Sequence, residues 1–143
     1  MNAYRGILTG LFFTVYFMLA GSAHASVAQH LQPPQESNAF KQFQQRPKSE
    51  LSKLLYLMDR FRNSEFKVVY NGTEYDSKFA LKETKKYIAK NYKNTAAESW
   101  IKIHAYRAQG GGDLIYLKDP EGKVYLLRDV LLEELNQLSS IKA

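Results

Sequence analysis

Apolar and polar residues change rhythm several times along the chain, and each rhythm predicts an element. Leu51, Leu54, Leu55, Met58 and Phe61 fall at i, i+3, i+4, i+7 and i+10, which places them on one face of a helix starting at Ser49 and ending near Asn63. Phe66, Val68 and Tyr70 then alternate with Lys67 and Val69, Asn71-Gly72 offers the two left-handed positions of a tight turn, and Thr73 to Tyr75 returns. That pattern predicts a hairpin with Tyr75 on its second strand. Ser77 suits the cap of a helix reaching about Tyr92. Thr95-Ala96-Ala97-Glu98 reads as a capping box, in which hydroxyl and carboxylate each satisfy an orphan backbone donor. A third helix is expected from Ala96 through Trp100 and His104 toward Arg107, stopped by Gly110-Gly111-Gly112 because a glycine run is costly inside a helix. Leu114 to Leu117 and Lys123 to Leu126 flank Asp119-Pro120-Glu121-Gly122, a turn with proline second and glycine last, which predicts a second hairpin. A final helix capped by Asp129 presents Leu131, Leu135 and Leu138 on one face. Tight hairpin turns make antiparallel neighbours and leave no crossover for a parallel sheet, so this order predicts a small single α+β domain. It has about four helices and two antiparallel hairpins, with the strand order between hairpins left open.

The ends of this pattern are different in kind. Arg5 is the one charge among the first residues, Ile7 to Ala20 is dense in Leu, Phe, Val, Tyr and Met, and Ala23-His24-Ala25 places small residues one apart. A positive start, a short apolar stretch and a small-residue site are what a translocon and its peptidase read, so residues 1–25 are expected to be a signal peptide cleaved after Ala25. The competing reading is an uncleaved membrane anchor; three glycines and the A-x-A site weigh against it. Residues 26–48 are rich in glutamine and carry Pro33, Pro34 and Pro47 without helical or strand periodicity. They are expected to be a flexible tether that buries too little apolar surface to offset its ordering entropy, with Phe40 and Phe43 docking at most locally. The compact domain is then 49–143.

Composition narrows the chemistry without selecting one. The 143 residues are 45% hydrophobic and 24% charged, with 20 Lys and Arg against 14 Asp and Glu, values of an ordinary globular domain. The chain has no cysteine, which removes disulfides, thiolate metal ligands and cysteine nucleophiles. Removing the leader costs only Arg5, so the exported form keeps a surplus of five positive charges. That surplus is concentrated. Lys78, Lys82, Lys85, Lys86, Lys90 and Lys93 face one acid, Glu83, between residues 78 and 93. On a helical wheel the six lysines share one arc, opposite Ala80, Leu81, Thr84, Tyr87, Ile88 and Tyr92. A solvated polar face is the ordinary meaning of such an arc. Like charges four apart repel, however, and an anionic surface would relieve that repulsion.

Candidate catalytic residues are few. Beyond the leader the only histidines are His30, in the tether, and His104, which the wheel places in the apolar stripe beside Trp100 and Ile101. A histidine there is more often a hydrogen-bonded core residue than a base. No zincin, nucleophile-elbow, phosphate-loop or EF-hand motif occurs. Gly110 to Gly112 precedes Asp113 and a strand rather than a helix, so it reads as a connector and not a phosphate cradle. Asn71-Gly72-Thr73 matches a glycosylation sequon, but the turn explains the same residues. The carboxylate pairs Asp119 with Glu121 and Glu133 with Glu134 do not by themselves make a hydrolase. No cofactor, metal or catalytic residue is expected.

Phe66, Asn71-Gly72, Tyr75 and Ala80, then Thr95 with Glu98-Ser99-Trp100-Ile101, then Leu131 with Glu134-Leu135, together resemble the YfeK-like family of small exported bacterial proteins of unknown function. The resemblance covers roughly Leu51 to Leu138 and implies bacterial export and a compact α+β domain, with no activity to transfer. Asn71, Gly72, Tyr75, Thr95, Glu98 and Trp100 are expected to have structural roles. The chain departs from the family pattern at two places: Glu83-Thr84 replaces a His-Leu pair, and Ala108-Gln109-Gly110 replaces part of a Ser-rich stretch.

These readings give an expectation of function. The chain is expected to be a periplasmic or secreted, basic, non-enzymatic binding or structural module. Its partner is an anionic protein, envelope polymer or membrane surface, met through the six lysines. Nucleic acid is disfavoured by export. The alternative is a small envelope hydrolase using His104 or a carboxylate such as Glu74 or Asp76.

Overall fold

In the computed structural model, residues 27–141 are described, and the expected leader lies outside them. Helices α1 (Asn38–Gln45) and α2 (Glu50–Phe61) come first, followed by strands β1 (Lys67–Tyr70) and β2 (Thr73–Asp76). Helices α3 (Ser77–Asn91) and α4 (Ala97–His104) lead to β3 (Tyr116–Lys118), β4 (Val124–Leu126) and the last helix, α5 (Leu127–Ser140). The fold is therefore α+β, with one helix more than the sequence pattern predicts.

The two hairpins join into one antiparallel sheet of order β2-β1-β3-β4. Val68 lies opposite both Tyr75 and Leu117, and Leu117 lies opposite Tyr125, so these four side chains share one face, which is turned to the helices. Residues of the other parity include Lys67, Glu74 and Lys118, where both lysines pair with Glu74. That side meets solvent.

Turn chemistry fixes the register of each hairpin. Asn71 (φ 49°) and Gly72 (φ 77°) are both left-handed, the type I′ geometry that matches strand twist. Asn71 also reaches across the molecule, its Oδ1 accepting the Asp113 amide at 3.2 Å. Gly72→Val is expected to cost at least 1 kcal/mol, read as a lower urea midpoint, because a β-branched residue fits poorly at positive φ. An unchanged midpoint would mean that the turn tolerates any residue. In the second hairpin Asp119 Oδ1 accepts the amides of Glu121 and Lys123, while Gly122 adopts φ 89°.

Of the expected tether, residues 27–48 are described, and they are docked on the domain. Val27, Ser37 and Ala39 are buried, Ser37 caps α1 by accepting the Phe40 amide at 3.1 Å, and the Phe43 ring packs 5.6 Å from that of Tyr56. Arg60 donates to the Gln32 carbonyl at 2.7 Å. Composition misleads here because a two-turn helix needs only a few apolar side chains when a preformed groove receives them; tertiary docking replaces intrinsic propensity.

Three caps also differ from expectation. Asp76, not Ser77, caps α3 by accepting the Phe79 amide at 2.7 Å, and the buried Ser77 hydroxyl donates to the Phe66 carbonyl. Thr95 and Glu98 do not form a capping box. The Ala97 amide at the start of α4 is received by Glu50 Oε2 at 2.8 Å, Glu98 pairs with Lys102, and the Thr95 hydroxyl turns to the Lys93 carbonyl. Bonding to Lys53, then to the Ala97 amide, holds the Glu50 carboxyl below the usual range. Asp129 lies inside the first turn of α5 and pairs with Arg128 rather than capping.

At the centre, Leu54, Leu57, Phe66, Ile101 and Leu117 are almost wholly enclosed. Beside them Arg60 on α2 and Glu134 on α5 form a 2.8 Å ion pair with side chains 3% and 1% exposed. Tyr56 is also enclosed, and its hydroxyl finds no hydrogen-bond partner among the described residues; burial pushes its pKa up to about 12.

Candidate functional site

Helices α3 and α4 do not close on one another over the sheet. The gap between them is a cleft of about 1060 Å³, floored by core side chains such as Leu57, Val68 and Leu117 and closed at one end by the Gly110-Gly111 loop. Helix α4 stops at His104, short of the expected Arg107, because the chain then turns extended: Arg107 pairs across the glycine loop with Leu114, and the Ile115 amide donates to the Tyr106 carbonyl. Gly112 lets that loop approach the first hairpin. A Cβ there would lie 2.5 Å from Asn71 Oδ1 and 2.9 Å from the Ala108 Cβ.

Aromatic side chains form the walls. Tyr75 on β2 stacks on Phe79 of α3 with centroids 5.3 Å apart and planes 17° from parallel. Opposite them Trp100 and His104 lie 4.7 Å apart on α4, and Tyr87 of α3 meets both. The Tyr87 hydroxyl is 3.0 Å from His104 Nδ1, and burial pushes the His104 pKa down, favouring the neutral ring. Trp100 Nε1 is buried and has no hydrogen-bond acceptor among the described residues. Two large apolar side chains at the mouth remain exposed, Phe79 at 48% and Ile103 at 66%.

Charge at the cleft is mixed but positive in sum: Lys86, Lys90 and Arg107 line it against Glu83, which pairs with Lys86 at 2.8 Å. The structure thus divides the six lysines. Lys86 and Lys90 border the cleft, and Lys85 turns the other way to Asp59 of α2 at 3.6 Å. Lys78, Lys82 and Lys93 are exposed beyond it. Of the residues with expected structural roles, Tyr75 and Trp100 line the cleft while Asn71 and Gly72 form the turn behind its glycine loop.

The carboxylates considered for a hydrolase do not converge on His104. Glu74 is held by Lys118 and Lys67 on the far side of the sheet, the contact to Lys118 pulling its carboxyl below the usual range, and Asp76 is the α3 cap. Sequence reasoning missed Phe79, Ile103 and Arg107. Phe79 had a signal: its wheel position falls inside the lysine arc, and an aromatic residue in a solvated face asks for a reason.

Comparison with family models, with curated proteins and with solved structures finds no match for this chain. Among the described residues, no helix is long and apolar enough to cross a membrane.

Proposed function

We propose that this is an exported, non-enzymatic binding module of the YfeK-like kind, whose cleft receives an anionic envelope partner through an apolar or aromatic group that carries negative charge. The carrying observation is the open aromatic cleft with Lys86, Lys90 and Arg107 at its edge. Apolar walls alone suit any greasy group, and lysines alone suit any anion. Together they select a molecule with both, because the apolar part gains from leaving water while the charge stays at the rim. Lys78, Lys82 and Lys93 add diffuse attraction that falls with salt. Both places where the chain departs from the resembled family line the cleft, Glu83 and Thr84 on α3 and Ala108, Gln109 and Gly110 on the connector, so a site that the family's own residues form there is altered in this chain.

The chain contains one tryptophan, Trp100, which lines the cleft, so its fluorescence reports occupancy. Dodecanoate below its micelle concentration is expected to shift Trp100 emission, and Lys90→Gln or Arg107→Gln is expected to weaken the response by about threefold at low salt, the scale of one exposed charge pair. Emission indifferent to dodecanoate, or an equal response to a neutral dodecyl ligand, would overturn the reading.

A further inference from the structure

Away from the cleft, the second hairpin and the N-terminal segment bring three metal-ligating side chains together. His30 Nε2 lies 3.2 Å from Glu121 Oε2 and 3.9 Å from Asp119 Oδ2, and the three donor atoms all lie within 4.8 Å of one another. We propose that His30, Asp119 and Glu121 form a binding site for one divalent transition-metal ion of the zinc type, which fastens the N-terminal segment to the tip of the β3–β4 hairpin.

Geometry carries the proposal. With metal-to-ligand distances of about 2.1 Å, two tetrahedral ligands sit roughly 3.4 Å apart and two opposed ones roughly 4.2 Å apart. The 3.9 Å spacing of His30 and Asp119 falls in that interval and the 3.2 Å spacing of His30 and Glu121 just below it, and the adjustment needed lies with Glu121, whose side chain is 72% exposed. The other two ligands are held in place. Asp119, with its side chain 2% exposed, has Oδ1 fixed by two backbone amides and Oδ2 receiving the Tyr125 hydroxyl at 3.1 Å. That is the outer support a ligating carboxylate uses. The His30 ring packs edge-on against Phe66 at 5.7 Å.

The donor set also chooses the ion. One imidazole with two carboxylates suits zinc and its neighbours better than calcium, which prefers oxygen alone. A recess bordered by Glu65 opens beside Asp119 and Glu121. Lys67 and Lys118 border the same recess, but both pair with Glu74, which offsets their repulsion of a cation.

Calorimetric titration of the untagged full chain with zinc chloride tests this, alongside melting with and without zinc. One ion per protein is expected, with a higher melting temperature and at least tenfold weaker binding in His30→Gln and in Glu121→Gln. Glu121 is exposed and its side chain caps nothing, so Glu121→Gln keeps the test valid even if His30→Gln folds poorly. Absence of zinc binding in the parent protein, unchanged binding in Glu121→Gln, or equal binding of calcium would overturn the proposal and leave a simple imidazole–carboxylate hydrogen bond.

Discussion

Arg60→Met is expected to destabilise the domain by about 3–5 kcal/mol, the cost of leaving one partner of an enclosed ion pair uncompensated. Arg60 and Glu134 meet at 2.8 Å with almost no exposure, and Arg60 also donates to the Gln32 carbonyl. The variant therefore strands a carboxylate in the core and releases a backbone acceptor of the N-terminal segment. Urea unfolding monitored by Trp100 fluorescence measures the loss. Replacing both partners at once, as Arg60→Met with Glu134→Leu, is expected to recover most of it, since an apolar pair needs no compensating charge. If the single variant unfolds within ~0.5 kcal/mol of the parent, the pair is not closed to water as described.

The second large effect is expected at Phe66→Ala, about 3–5 kcal/mol for an aromatic side chain removed from a filled core. Phe66 is 1% exposed and joins three parts of the fold. Its ring meets Phe61 of α2 edge-on at 5.6 Å and His30 at 5.7 Å, and its carbonyl receives the Ser77 hydroxyl at the start of α3. The cavity should also loosen the N-terminal segment, so amides near His30 should exchange with solvent faster than those of α5. Uniform loss of protection would instead mean that the segment and core unfold only together.

Local chemistry explains which parts were readable from the chain. Asn71-Gly72 and Asp119-Pro120-Glu121-Gly122 specify their turns through conformations that few other residues adopt, so both hairpins were legible. Helix faces were legible for the same reason of period. Caps were less so, because Asp76 and Ser77 are both good capping residues and adjacent, and because α4 takes its cap from Glu50, 47 positions away. The N-terminal segment was misread since its order comes from partners on α2, at Phe66 and at the β3–β4 turn. The cleft was half visible: Trp100, Tyr87, His104 and the lysines stood out by type. Nothing local says that α3 and α4 stay apart, and Arg107 reaches the rim only because α4 ends early.

The order of the sheet also determines when this protein can fold. Val68 pairs with Leu117, Arg60 waits for Glu134, 74 residues later, and His30 waits for Glu121, 91 residues later. Contacts of such sequence separation require long loops to close before they stabilise anything, which slows folding relative to a bundle of similar size. Until α5 is available, Arg60 lacks its counter-ion and the central strands have no complete cover. The chain therefore stays loose until its last helix arrives, and only then becomes a domain.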